Sequence, residues 1–223
     1  MSETSAEDRM LSHKPREPED KPLPTPWPQM DRTLALEPDR FVTLGCRSRS
    51  REAEAGYDIA VHNAAQGTPV LLFGPRLTPR NSVPNLLIDR AQELTPSRVD
   101  RLVEGLVRRP APLRLVVIDR LQLMFTDDGE PVRTAAQADE VGRDLHTVAR
   151  RYEIPVLLMA RLERPRRAGH LLETDDLGIA AELVYTANSV ILLDRTEPHQ
   201  VQVLVEKDTS GWAAAPRREV VDW

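Results

Sequence analysis

Leu115, Val116, Val117 and Ile118 form an unbroken apolar run that leads straight into Asp119. A run without polar alternation suits a strand buried on both faces, and such strands belong to parallel sheets covered by helices on each side. An α/β chain is therefore expected. Asp119 falls at the carboxyl end of the strand, the edge where open α/β sheets bind ligands and where an acidic residue holds nucleotide-bound magnesium. Asp is also a common turn former and helix cap. Asp119 thus has two readings, magnesium ligand or structural residue at a strand end.

The rest of the chain repeats the strand and helix alternation. Apolar runs at Arg40–Cys46, Pro69–Gly74, Leu86–Asp89 and Ile154–Ala160 predict further buried strands. Between them, Glu52–Ala65, Thr95–Arg109 and Ala135–Tyr152 carry apolar residues at helical spacing, and Thr95-Pro96-Ser97 is a helix-start signature. Leu172–Tyr185 is expected to be helical. Ser189–Leu193, Val201–Val205 and Glu219–Trp223 are expected to close the fold as an antiparallel portion. Residues 126–131, Thr-Asp-Asp-Gly-Glu-Pro, form a loop by every local cue.

Residues 1–33 are rich in Pro, Ser, Glu and Asp and are expected to be a disordered acidic tail, with residues 34–223 as one domain. Trp27, among the prolines, is either part of a polyproline-type docking peptide or a linker residue tucked against the domain. A net charge of -5 gives no overall basic field for nucleic acid or anionic membrane. With a single cysteine, Cys46, there is no internal disulfide, and no stretch has the apolar length of a signal peptide or membrane span. A cytoplasmic protein is expected.

Several stretches, in order and at matching spacing, carry a resemblance: LEPDRFVTLG before the first loop, VVIDRLQLM at the central strand, VGRDLHTVARRYEIPVLLMARLER, and VLVEKDTSG near the end. Together they resemble the C-terminal, RecA-like motor domain of DnaB-type replicative DNA helicases. The resemblance implies a RecA-like sheet that is mainly parallel with a C-terminal antiparallel portion. It also implies a ring-forming domain with ATP bound between subunits and single-stranded DNA in a central channel.

At the positions that match the family's nucleotide machinery, this sequence departs from it. The P-loop stretch of the family, G-x-x-x-x-G-K-[ST], is here Cys46-Arg47-Ser48-Arg49-Ser50-Arg51-Glu52-Ala53. Arg51 replaces the second Gly, Glu52 the phosphate-binding Lys and Ala53 the magnesium-holding hydroxyl. Reversing one charge at about 4 Å and an effective dielectric of about 20 turns roughly 4 kcal/mol of attraction into repulsion. The position of the general-base Glu falls near Arg76, and the polar residue that senses nucleotide falls on Arg161. Of the trans-acting Lys-x-Arg finger, Lys207 is kept and Thr209 stands where Arg is expected. Lys207 either points at a neighbouring subunit or is a solvated residue beside Glu206 and Asp208.

Losing these groups together argues against hydrolysis, since each typically contributes orders of magnitude. No cofactor and no metal are expected, apart from ATP with magnesium at Asp119 if an atypical site operates. Arg164, Arg166 and Arg167 fill a loop that faces DNA in the family. They are candidate nucleic-acid contacts, but the acidic loop Asp127–Glu130 and the lack of interleaved aromatics weigh against single-stranded DNA. The expected function is a non-hydrolysing pseudo-helicase that binds or regulates a protein partner in DNA replication or recombination. That partner would be a replicative helicase or another copy of the chain. The alternatives are an ATP-dependent helicase or ATPase with an atypical site, and a sensor whose arginine loop (Arg47, Arg49, Arg51) binds a phosphorylated ligand. No membrane partner is expected.

Overall fold

The structure is a computed structural model that describes residues 21–47, 54–74, 82–163, 170–197, 200–209 and 216–222. Its strands are β1 Phe41–Cys46, β2 Val70–Phe73, β3 Leu86–Asp89, β4 Leu115–Ile118, β5 Val156–Arg161, β6 Ser189–Glu197, β7 Gln200–Asp208 and β8 Arg217–Asp222. They form one sheet in the order β3-β2-β4-β5-β1-β6-β7-β8. Every pairing from β3 to β6 is parallel, and β7 and β8 are added antiparallel. The α/β class and the antiparallel end expected from the sequence are both present.

The apolar run Leu115–Ile118 is explained by what covers the sheet. A short helix, α1 (Asp31–Leu34), precedes β1, and Leu115 and Val117 join a core with Ile59 and Ala60 of α2 (Ala55–Ala65). Val116 and Ile118 face the other way, into a core with Val99 and Val103 of α3 (Pro96–Val107) and Val141 and Leu145 of α4 (Ala135–Tyr152). Alternate side chains of one strand point to opposite faces, so a helix on each face requires every position to be apolar. Local signals fix where these helices start. The Thr95 side chain accepts a hydrogen bond from Arg98 N with Pro96 in the first turn, and Thr134 and Gln137 form a capping box before α4.

The structure differs from the sequence reading in three places. The helix expected over Leu172–Tyr185 is broken into 3-10 turns over Thr174–Glu182 and a short α-helix, Leu183–Thr186. Gly178 breaks it with φ 57°, and a side chain there would meet the carboxylate of Glu163. The second difference concerns the β6–β7 hairpin, which runs beyond the apolar residues: Asp194 and Arg195 pair with Gln202 and Val201. An antiparallel partner supplies ladder hydrogen bonds whatever the side chains are.

The third difference is at the N-terminus, where a tail to residue 33 was expected and the described part of that stretch is packed on the domain. Leu23 N donates to Leu36 O at 2.9 Å. Asn63 Nδ2 on α2 donates to Pro24 O at 2.8 Å. Asp31 Oδ1 accepts from the backbone N–H and the hydroxyl of Thr25, each at 2.7 Å. Met30 is fully buried and Trp27 lies against the α2-side core, as a linker residue tucked against the domain would. Four prolines between 22 and 28 obscured this packing, because they preclude a regular helix while still allowing side chains to be buried.

Candidate functional site at the carboxyl edge of the sheet

The parallel strands end together along one edge. Ile118 of β4 lies beside Leu158 of β5, Arg161 beside Cys46 of β1, and Cys46 beside Leu193 of β6. Past these pairs the register sets Arg47 level with Asp194, whereas Asp119 is level with Met159, two residues before Arg161 on β5. Two of the expected residues, Cys46 and Arg161, are thus neighbours in space although they are far apart in sequence. Cys46 is buried at the strand end as a small apolar filler.

Arg47, Asp194 and Asp119 are each engaged by a side chain of the protein itself. Arg47 Nε lies 3.0 Å from Asp194 Oδ2, with side-chain exposures of 14% and 6%. Asp119 Oδ1 accepts from Arg120 Nε at 3.2 Å. Burial pushes the Asp119 carboxyl above its usual range, and the Arg120 guanidinium offsets only part of that rise. Arg161 is held through its backbone: its N–H donates to Gln122 Oε1 at 3.1 Å and its carbonyl accepts from Gln122 Nε2 at 3.3 Å. That reciprocal pair ties the end of β5 to the 3-10 turn after β4, Leu121–Leu123.

Lys207 and Thr209 lie elsewhere. Lys207 is opposite Val190 and Asp208 opposite Ser189, the first residue of β6, so both finger positions sit at the amino edge of the parallel strands. Six residues of strand separate the two edges, roughly 20 Å at about 3.3 Å per residue. Within one molecule they cannot act on the same ligand. Lys207 Nζ donates to Tyr185 O at 3.3 Å, and burial lowers its pKa. Thr209 Oγ1 accepts from Arg40 Nη1 at 2.6 Å, and Arg40 is also paired with Glu37 at 3.1 Å. This Thr therefore anchors the buried guanidinium that stands just before β1.

The acidic loop after β4 is exposed but tied to the start of α3 through Asp127. Asp127 accepts from Ser97 N at 3.0 Å and from the Ser97 hydroxyl. Burial alone would push its carboxyl up, but these bonds outweigh it and hold the group below its usual range. Ser48, Arg49, Ser50, Arg51, Glu52, Ala53, Arg76, Arg164, Arg166 and Arg167 lie outside the described residues. Among the described residues no three His, Cys, Asp or Glu side chains are grouped to hold a metal, and no helix is long and apolar enough to cross a membrane.

Sequence reasoning missed Asp194, Arg120, Gln122 and Arg40. A signal was present for Asp194: VILLD ends an apolar run in an aspartate just as LVVID does. No local pattern marks the other three, whose partners come from neighbouring strands and turns.

Comparison with known proteins identifies this arrangement of strands. The family model of the DnaB-like helicase C terminal domain matches residues 77–215, more than half of the chain. The chain belongs to that family. Among curated relatives, the replicative DNA helicase DnaB of Pasteurella multocida (strain Pm70) is 30% identical over 138 residues. That alignment covers 57% of this chain and 29% of the relative, so the match spans less than a third of that protein's length. A solved ATPase domain superposes with a TM-score of 0.74 at 16% identity, covering 91% of this chain and 88% of the other. A DnaB-like replicative helicase, solved in a study of its interactions with primase, superposes with a TM-score of 0.70 at 16% identity, covering 90% and 61%. At these identities the structural likeness shows the DnaB-type, RecA-like fold alone. The matched family region contains Asp119, Arg161, Lys207 and Thr209 and begins after Cys46–Ala53.

Proposed function

We propose that this DnaB-family chain is a non-hydrolysing relative of the replicative helicases, acting as a binding or regulatory partner in DNA replication or recombination. The ion pair between Arg47 and Asp194 carries the reading. Arg47 is the second residue of the stretch that resembles the family's P-loop, and its guanidinium is turned toward Asp194 at 3.0 Å with both side chains mostly buried. A phosphate that recruited Arg47 would leave the Asp194 carboxylate buried without its cation, a loss typically of about 3–5 kcal/mol.

A magnesium nucleotide does not suit the residues present. Asp119, the one carboxylate in the metal position, is bonded through Oδ1 to the Arg120 guanidinium, a cation that competes with a metal for the same oxygen. Glu52 and Ala53 stand at the sequence positions of the phosphate-binding Lys and the metal-binding hydroxyl. No hydrolytic step is derived through this edge. The expected partner is a protein, either a replicative helicase or a second copy of this chain; single-stranded DNA is not favoured.

Calorimetry with magnesium ATP, with hydrolysis followed in the same samples with and without single-stranded DNA, tests the reading. Neither heat nor turnover is expected. Turnover would overturn it in favour of an atypical ATPase, whereas binding without turnover that is lost in an Arg47→Ala variant would replace it with a phosphorylated-ligand sensor.

A further inference from the structure

The uncovered edge strand β3 carries an inference independent of nucleotide chemistry. Leu87 is paired in register with Leu71 of β2, whose side chain lies in the core under α3. Leu86 and Ile88 face the opposite side and pack toward α2. Leu87 therefore points to the α3 face of the sheet. There α3 covers β2 and β4 and stops short of β3, so Leu87 is 47% exposed.

The result is a cleft of about 400 Å³ bounded by Leu86 and Leu87 on β3, Leu106 and Arg109 at the end of α3, and Pro110 and Leu113 in the connection to β4. Its walls are apolar except at the rim. Arg108 is paired with Glu104 at 2.6 Å. The Arg109 guanidinium, by contrast, has no carboxylate partner among the described residues. A site of this size, apolar within and bearing one cation at its mouth, suits a pair of aliphatic side chains flanked by carboxylates.

Such a segment lies within reach. The cleft abuts a second hollow of about 610 Å³, sharing Pro69 and Ala111 with it, and this hollow is lined by Lys21, Pro22 and Leu23. Lys21, to which residues 1–20 are joined, therefore lies on the cleft's own side of the domain. Residues 1–20 contain one adjacent pair of large apolar residues, Met10-Leu11, with Glu7 and Asp8 just before it. The ten residues from Lys21 back to Leu11 can span up to roughly 33 Å, ample for a neighbouring hollow.

We propose that this cleft seats the N-terminal segment of the same chain, with Met10 and Leu11 on Leu87 and the Glu7-Asp8 carboxylates at Arg109. The test uses the full chain with Cys46→Ser and the pair Leu11→Cys and Leu87→Cys, oxidised by glutathione disulfide at low protein concentration. A disulfide within the monomer is expected, forming several-fold faster than in a control that pairs Leu11→Cys with Val220→Cys, a 60% exposed residue on the far edge strand. Adding Arg109→Glu is expected to slow it. Equal rates for the two pairs would overturn the proposal, as would a disulfide found only between two copies, which would make the cleft a dimer contact. Trypsin provides a readout without new thiols. Cleavage after Arg9 is expected to be several-fold faster in Leu87→Glu than in the unmodified chain, and equal rates would overturn the proposal.

Discussion

Arg47 and Asp194 meet at 3.0 Å across the carboxyl ends of β1 and β6. They lie in neighbouring parallel strands, one residue past the register pair Cys46 and Leu193, and both side chains are mostly shielded from water. A pair in this setting is costly to break by halves, since removing one member leaves the other charge buried.

Arg47→Ala and Asp194→Ala are each expected to destabilise the fold by about 3 kcal/mol, while the double variant loses less than the sum. Urea denaturation of the four proteins in a double-mutant cycle measures the coupling. Additive losses would mean that the pair contributes nothing as a pair.

Asp119 has its pKa raised by burial, with Arg120 compensating in part. A carboxyl whose folded pKa lies above its unfolded value binds protons more tightly in the folded state. Stability therefore falls as pH rises through the window from 3.8 to the raised value. At neutral pH the folded protein carries that cost in full. Asp119→Asn is expected to stabilise the protein at pH 7, with the gain fading as pH drops through this window, as read by unfolding curves at several pH values.

His146 stacks on Phe41 with ring centroids 6.3 Å apart. Burial lowers its pKa, and the charges of Arg150 and Lys207 lower it further. The imidazole is thus kept neutral, and the stability that this provides is complete above the unfolded value of 6.5 and is lost as pH falls through the lower folded value. An NMR titration should place the His146 midpoint below 6.5, and Lys207→Met should move it upward. An unchanged midpoint in that variant would show that Lys207 does not act on the imidazole.

Gly178 has φ 57° and ψ -122°, a conformation that residues with a side chain rarely adopt, and the Glu163 carboxylate occupies the space a Cβ would need. Gly178→Ala is expected to cost about 1–3 kcal/mol. Adding Glu163→Ala should recover only the steric part, because the backbone strain remains. Thermal unfolding of the single and double variants separates the two contributions.

Much of the fold is legible in the sequence because burial on both faces of a parallel sheet leaves a local mark. The β3 residues Leu86–Asp89 and the helix Ala135–Tyr152 fall where apolar run and helical spacing place them. The break at Gly178 left a weaker mark, because LGIAAELVY has helical composition and only the close approach of Glu163 requires the positive φ. The burial of Met30 was hidden behind prolines, whose effect on backbone geometry says nothing about which side chains reach a core.

The candidate site divides along the same line. The sequence by itself determined the α/β class, the strand that ends in Asp119, and the absence of a Gly-Lys pair from the stretch that follows β1, since residue identity and local periodicity are written in the chain. Only the tertiary structure decided that Arg47 is spent on Asp194, that Asp119 is held by Arg120, and that Lys207 and Thr209 lie at the opposite edge of the sheet from both. Strand order and register set those distances. They follow from how buried faces pack together across the whole domain, a long-range outcome that no window of neighbouring residues encodes.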